Sequence, residues 1–197
     1  MNKLPLLGDE AIAQAAIDAG LSGIYAYPGT PSTEITEYVL QSKEAREGKV
    51  VASWTSNEKT AMEAAMGVSY VGRRGMTCMK HVGLNVAADA FINAAITGAN
   101  GGLLVVAADD PSMHSSQNEQ DSRFFGNFAM IPMLEPSGQQ EAYDMVHYAF
   151  DLSEKFEIPV LMRITTRLAH SRAGVVRKSS RPQNGLKMPK TPNQFIL

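Results

Sequence analysis

The sequence predicts an α/β fold of three αβα layers, in which a mostly parallel sheet is covered by helices on both faces. Three observations carry this reading. Apolar runs of strand length alternate with segments of helical periodicity, the order expected when crossover helices join parallel strands. The most hydrophobic run, Leu103 to Ala108, has no polar face and suits a strand buried on both sides. Clusters of Gly, Pro, Ser, Asp and Asn fall where the runs end, and such a sheet gathers its ligand chemistry at the loops leaving its strands.

The elements follow in order. From Asp9 the positions Ile12, Ala15, Ala16 and Ala19 recur at helical spacing, with Gly8 and Asp9 as caps and Gly20 as a stop. Ile24 to Tyr27 is a short strand ended by Pro28 and Gly29, after which Ser32 or Thr33 can cap a helix running to about Ala45. Val50 to Trp54 reads as a strand, Asn57 to Tyr70 as a helix, Gly75 to Met79 as a strand and Leu84 to Thr97 as a helix. After the Leu103 strand, Glu141 to Lys155 is helical and Pro159 to Ile164 is the last strand. Past Ser171 the periodicity fades into a stretch rich in Lys, Arg, Ser, Pro and Asn. The expected organisation is one domain over residues 1–175 and an extended linker or arm over 176–197.

Composition narrows the function. A chain of 197 residues, 44% hydrophobic and 19% charged, can bury a sizeable core. Eighteen basic residues against twenty acidic ones leave a formal charge of -2, which favours neither a nucleic-acid nor a membrane partner. Cys78 is the only cysteine, which excludes an internal disulfide and a Cys-ligated iron–sulfur cluster within this chain. MNKLPLLGDE has no apolar core of signal-peptide length, and the expected location is the cytoplasm.

Four loops at predicted strand ends could carry chemistry. YPGTPSTEI, Tyr27 to Ile35, presents hydroxyls and amides at a helix start, suited to a carboxylate or phosphate; its plainer reading is an N-cap that binds nothing. Glu58 follows a strand, where a partly buried carboxyl could share a proton with a heterocycle nitrogen or merely complement the helix dipole. KHVGLN places Lys80, His81 and Asn85 directly after a strand, and His81 could carry a proton or simply be a hydrogen-bonded structural residue. The polar run Asp109 to Arg123 must face water, ligand or another chain; its acids lack a recognised ligand spacing, and no metal is assigned to it. Cys78, between Thr77 and Met79, reads as an inert buried thiol.

Taken in order, LLGDEAIAQAAIDAG, YPGTPSTEI, SNEKTAMEAA, MTCMKHVGLNVAAD, VVAADDPSMHSSQNEQDSRFFG, LEPSGQQEAYDM and RITTRLAHS resemble the amino-terminal domain of indolepyruvate ferredoxin oxidoreductase large subunits, within the 2-oxoacid:ferredoxin oxidoreductase superfamily. The resemblance covers about residues 5–172 and implies a thiamine diphosphate-binding fold, this domain gripping the cofactor's aminopyrimidine ring. It makes Glu58 the catalytic residue, bonded to a ring nitrogen so as to favour the imino tautomer that activates the cofactor. It places Pro28, Lys80, His81 and Asn85 near the cofactor, and Thr30, Gly29 and Ser32 near substrate, Gly29 leaving room for an aryl side chain.

The implied reaction is oxidative decarboxylation of aryl pyruvates such as indolepyruvate to acyl-coenzyme A, with electrons passing to ferredoxin. Magnesium, a diphosphate-binding Gly-Asp-Gly domain and iron–sulfur clusters would then sit on other domains or subunits, because this sequence carries none of their motifs. Accordingly the isolated chain is expected to bind thiamine diphosphate negligibly, and a homodimer is compatible with the family. The competing reading is a non-catalytic assembly or binding module that retains the fold.

Overall fold

The computed structural model describes residues 3–189, Thr191 and Phe195. Six strands, β2 (Gly23–Ala26), β3 (Val51–Trp54), β4 (Gly75–Lys80), β5 (Leu103–Asp109), β6 (Met133–Leu134) and β7 (Val160–Thr165), form one sheet in the order β3-β2-β4-β5-β7-β6. All of its pairings are parallel, in keeping with the expected three-layer fold. A separate two-stranded antiparallel sheet joins β1 (Leu4–Leu7) to β8 (Arg172–Val175) and brings the two ends of the domain together.

The two-residue period of the strands divides the core. On one face Met76, Cys78, Leu104, Val106, Ala108, Val160 and Met162 meet α1 (Gly8–Asp18), α2 (Thr33–Gln41) and α7 (Gln139–Phe156). On the other, Met79, Leu103, Val105, Ala107 and Leu161 meet α4 (Glu58–Tyr70) and α5 (His81–Thr97). Every residue from Leu103 to Ala108 is wholly buried, which is why that run has no polar position. Alanine fills the helix interfaces: Ala11, Ala13, Ala15 and Ala16 of α1 are all at 0% exposure, so neighbouring backbones approach closely around an element with almost no solvent face.

Several boundaries differ from expectation. The helix after Pro31 stops at Gln41; Ser42 turns extended and its hydroxyl caps a separate short helix, α3 (Lys43–Arg46). α5 begins at His81, directly after β4, so KHVGLN is a helix start rather than a loop. Short α6 (Arg123–Ala129) and α8 (Thr166–His170) were not evident in the periodicity. Among the described residues, no helix is long and apolar enough to cross a membrane.

Beyond Val176 the chain is extended and held by side chains. Arg177 Nη2 lies 2.6 Å from Asp18 Oδ1, Arg181 Nη1 lies 2.6 Å from Asp151 Oδ1, and Gln183 Nε2 donates to the carbonyls of Leu21 and Lys49 at 2.6 Å each. The Lys187 amide donates to the Val71 carbonyl at 2.9 Å. These anchors all precede strands, so the segment runs along the amino edge of the sheet. Residues 190, 192–194, 196 and 197 of the expected arm lie outside the described residues.

Candidate functional site

The chain passes from β2 through α2 on one face out to β3, then through α4 on the opposite face back to β4 on the other side of β2. That reversal opens a crevice at the carboxyl ends of β2 and β4, the usual place for a ligand in an open parallel sheet. The segment 27–32, Glu58 and the α5 start all belong to this edge.

Segment 27–32 is tied to itself. The Gly29 amide donates to Thr33 Oγ1 at 2.9 Å, the Ser32 hydroxyl donates to the Gly29 carbonyl at 2.8 Å, and the Thr30–Pro31 peptide is cis. Neither hydroxyl caps α2 through its side chain. Pro28 and Thr30 are exposed at the rim, whereas Ser32 is 1% exposed with its hydroxyl engaged. Ser32 therefore shapes the loop through its hydroxyl. A Cβ on Gly29 would lie 3.0 Å from Lys80 Cδ, so the lysine stem packs beside that glycine.

Lys80 and His81 are clasped by the polar loop that follows β5. Lys80 Nζ donates to the Ser115 carbonyl at 3.0 Å, and Ser115 Oγ reaches back to the Thr30 carbonyl at 3.4 Å. His81 is 1% exposed, and its Nε2 lies 3.0 Å from the Asn118 carbonyl. A carbonyl only accepts, so Nε2 carries the proton, and Nδ1 is left buried without a partner. Asn85 stands one turn further along α5 and is exposed.

Glu58 opens α4, behind the Asn57 cap that accepts from the Thr60 amide at 2.9 Å. Its side chain is buried and lies against the first turn of α5: an ideal Cβ at Gly83 would stand 2.6 Å from Glu58 Oε1 and 2.8 Å from Cγ. Among the described residues none donates a hydrogen bond to this carboxylate. A buried acceptor beside a helix start and without a protein donor fits the protonated nitrogen of a heterocycle. The acids Asp109, Asp110 and Asp121, by contrast, are all engaged by the protein itself.

Asp109 is wholly buried and accepts from Arg163 Nε at 2.6 Å and from the Ser122 amide and hydroxyl; Arg163 also pairs with Glu135. Burial works against the Asp110 charge, but the Ser115 amide and Thr166 hydroxyl outweigh it and hold that carboxyl well below the usual carboxylate range. The Arg123 guanidinium, above all, lowers Asp121 to about 2. The polar run thus splits into a satisfied root and an exposed tip over residues 112–115 and 117–119. Beside it, Pro111, His114, Thr165, Thr166, Arg167 and His170 line a cavity of about 600 Å³ with a basic, hydroxyl-bearing wall. Cys78 is buried against Thr36, and burial pushes its thiol up to about 12.

Sequence reasoning missed Gly83, Arg163, Ser115, Asn118 and Thr166. A charged residue inside the apolar run VLMRIT was the one available signal, since a buried arginine needs an acid.

Comparison with known proteins agrees with this architecture. The family model described as pyruvate flavodoxin/ferredoxin oxidoreductase, thiamine diphosphate-binding, matches residues 14–194. Indolepyruvate oxidoreductase subunit IorA of Archaeoglobus fulgidus is 50% identical over 183 residues, covering 92% of this chain and 29% of the relative. The corresponding subunit of Pyrococcus horikoshii is 52% identical over 174 residues, covering 88% and 26%. The chain therefore spans less than a third of the length of these relatives. A 2-oxoglutarate:ferredoxin oxidoreductase from Magnetococcus marinus, solved with 2-oxoglutarate, coenzyme A and succinyl-CoA bound, superimposes with a TM-score of 0.78 at 23% identity, over 91% of this chain and 32% of that one. With the family model matching nearly the whole chain and a parallel sheet whose switch point holds the expected loops, the chain belongs to the thiamine diphosphate-binding domain family of the pyruvate flavodoxin/ferredoxin oxidoreductases.

Proposed function

We propose that this chain supplies the aminopyrimidine-binding half of a thiamine diphosphate site. A second domain or subunit would complete the site with the diphosphate-binding half and its magnesium. The whole assembly would be a 2-oxoacid:ferredoxin oxidoreductase of the indolepyruvate type, acting on aryl pyruvates in the cytoplasm. The observation that carries the proposal is Glu58, whose buried carboxylate has no protein donor and faces the α5 start at the sheet's switch point.

When bound, thiamine diphosphate supplies the carbon nucleophile and electron sink that let a 2-oxo acid lose carbon dioxide. The work of this chain is to bind, orient and hold protons. Glu58 accepts a hydrogen bond from a ring nitrogen and, with a proton on that bond, fixes the ring's tautomer. Gly83 leaves the space in which the carboxylate lies. Lys80 and His81, fastened to the carbonyls of Ser115 and Asn118, hold the 110–122 loop over the crevice, while Asn85 and Pro28 stand at its rim. Thr30, exposed at the rim, would hydrogen-bond the substrate carboxylate. Phe124 and Phe128 of α6 and neighbouring Met130, 70%, 75% and 89% exposed, offer apolar surface for the completing domain to cover. Iron–sulfur clusters, ferredoxin and coenzyme A belong to the remaining parts of the assembly, and pairing of two such chains is compatible with it.

The test is reconstitution with the diphosphate-binding and cluster-bearing parts. Glu58→Ala should lower turnover of an aryl pyruvate by about 10²- to 10⁴-fold, the range for losing a positioned acid–base group. Unchanged turnover would remove Glu58 from the mechanism and leave the chain an assembly module.

A further inference from the structure

On the α1 face of the same sheet edge lies a second group of ionisable side chains. Asp9 in the first turn of α1, Glu34 in the first turn of α2 and His170 at the end of α8 each offer one ligand atom, all within 4.8 Å of one another. Asp9 is wholly buried, yet neither of its carboxylate oxygens has a hydrogen-bond partner. Glu34 Oε2 is likewise buried and unpartnered, while Glu34 Oε1 stands 3.5 Å from His170 Nε2. Two carboxyl groups thus converge with three of their four oxygens unpartnered, and the one imidazole beside them is too little positive charge to hold both ionised. Burial first, and then the charge of Glu34, raise the Asp9 carboxyl well above the usual carboxylate range.

Such an arrangement lacks a cation. We propose that Asp9, Glu34 and His170 bind one divalent ion of the zinc class. An imidazole with two carboxylates suits the borderline metals zinc, cobalt and manganese. Calcium, which takes six to eight oxygens, and magnesium, which keeps most of its water, fit this three-residue set poorly. Small side-chain rotations bring donors at these separations to bonding distance, and water fills the open position. The ion would join α1, α2 and α8. Thr33, the neighbour of Glu34, accepts the Gly29 amide, so the same ion would brace the 27–32 segment from behind. The site is independent of any role for Glu58.

The chain, stripped with a chelator, is titrated with zinc by calorimetry and with cobalt by visible absorption. One ion per chain is expected, together with a cobalt d–d band and a raised Tm. Glu34→Gln and His170→Ala, both at partly or fully exposed positions, should keep the native circular dichroism and weaken binding by upwards of about 10-fold, the scale on which even outer partners of metal ligands act. Asp9→Asn should abolish the band. Absence of saturable binding, or binding that all three variants leave unchanged, overturns the proposal; the first result would mean that a shared proton serves the pair instead.

Discussion

Position 83 is constrained by the carboxylate that lies against it. Gly83→Ala suits the helix, where alanine is favoured over glycine by about 1 kcal/mol, but its Cβ would fall 2.6 Å from Glu58 Oε1. The variant should therefore fold with stability within about 1 kcal/mol of the parent, yet lose about 10²-fold in turnover after reconstitution, as expected for a displacement near an ångström. Thermal unfolding beside turnover separates the two effects, and full activity would show that Glu58 is not held where the reaction needs it. Asp9 poses a different problem, a wholly buried carboxyl with no donor. Its native pKa is raised above the ordinary 3.8, so between 3.8 and that higher value the folded state binds more protons than the unfolded one. Its contribution to stability is thus greatest below 3.8 and falls as pH rises through the native value. With metal chelated, Asp9→Asn should remove this dependence and stabilise the chain at pH 7 by about 1–3 kcal/mol, the usual penalty of an unsatisfied buried group. Urea unfolding of both proteins across pH tests it; parallel curves would mean that Asp9 is already satisfied.

At the scale of elements, β5 and β7 are joined by charge as well as by their ladder. Arg163 of β7 is the cation for Asp109 at the end of β5. Arg163→Met would leave a wholly buried carboxylate with only Ser122 and should cost about 3–5 kcal/mol, whereas Asp109→Asn with Arg163→Met should cost distinctly less. Urea unfolding of the single and double variants reads the difference, and equal losses would mean the pair is not coupled. This ion pair also marks where the sequence stops being legible. The central strands could be read because burial on both faces leaves no polar position in Leu103 to Ala108, and α1 and α4 because alanine and methionine recur at helical spacing. β6, α6 and α8 are too short to show a period, and β1 pairs with β8 across nearly the whole chain, so tertiary contacts decide them. α5 was read three residues late because His81 and Gly83 have loop-like chemistry. The site divides in the same way: Glu58, Lys80 and His81 were visible as polar residues following strands. Gly83, Arg163 and the Asp9, Glu34 and His170 group come together only through packing.

For the molecule as a whole, the proposed cofactor crevice and the anchored carboxyl-terminal segment occupy opposite edges of the sheet. The segment after Val176 runs past the amino ends of the strands and delivers Arg177 and Ser180 to Asp18, which also accepts from Tyr143 at 2.7 Å. Burial alone would raise the Asp18 carboxyl, but Arg177, Tyr143 and Ser180 together bring it below 3.8. A depressed native pKa means stability that is present above the unfolded value of 3.8 and lost as pH falls through the native one. Arg177→Met removes the main partner while keeping the rest of the segment, and should cost about 1–3 kcal/mol at pH 7. The deficit should shrink on acidification, because protonating Asp18 removes the charge that the arginine served. Ending the chain after Val176 should cost more, since Arg181, Gln183 and Asn184 are lost with it. Neither change touches the carboxyl edge, so turnover per folded, reconstituted molecule should match the parent. Unfolding curves against pH, paired with turnover at a temperature where both proteins are folded, test the separation. A loss of turnover in the folded variant would instead mean that the amino-edge strap is coupled through the sheet to the crevice at Glu58.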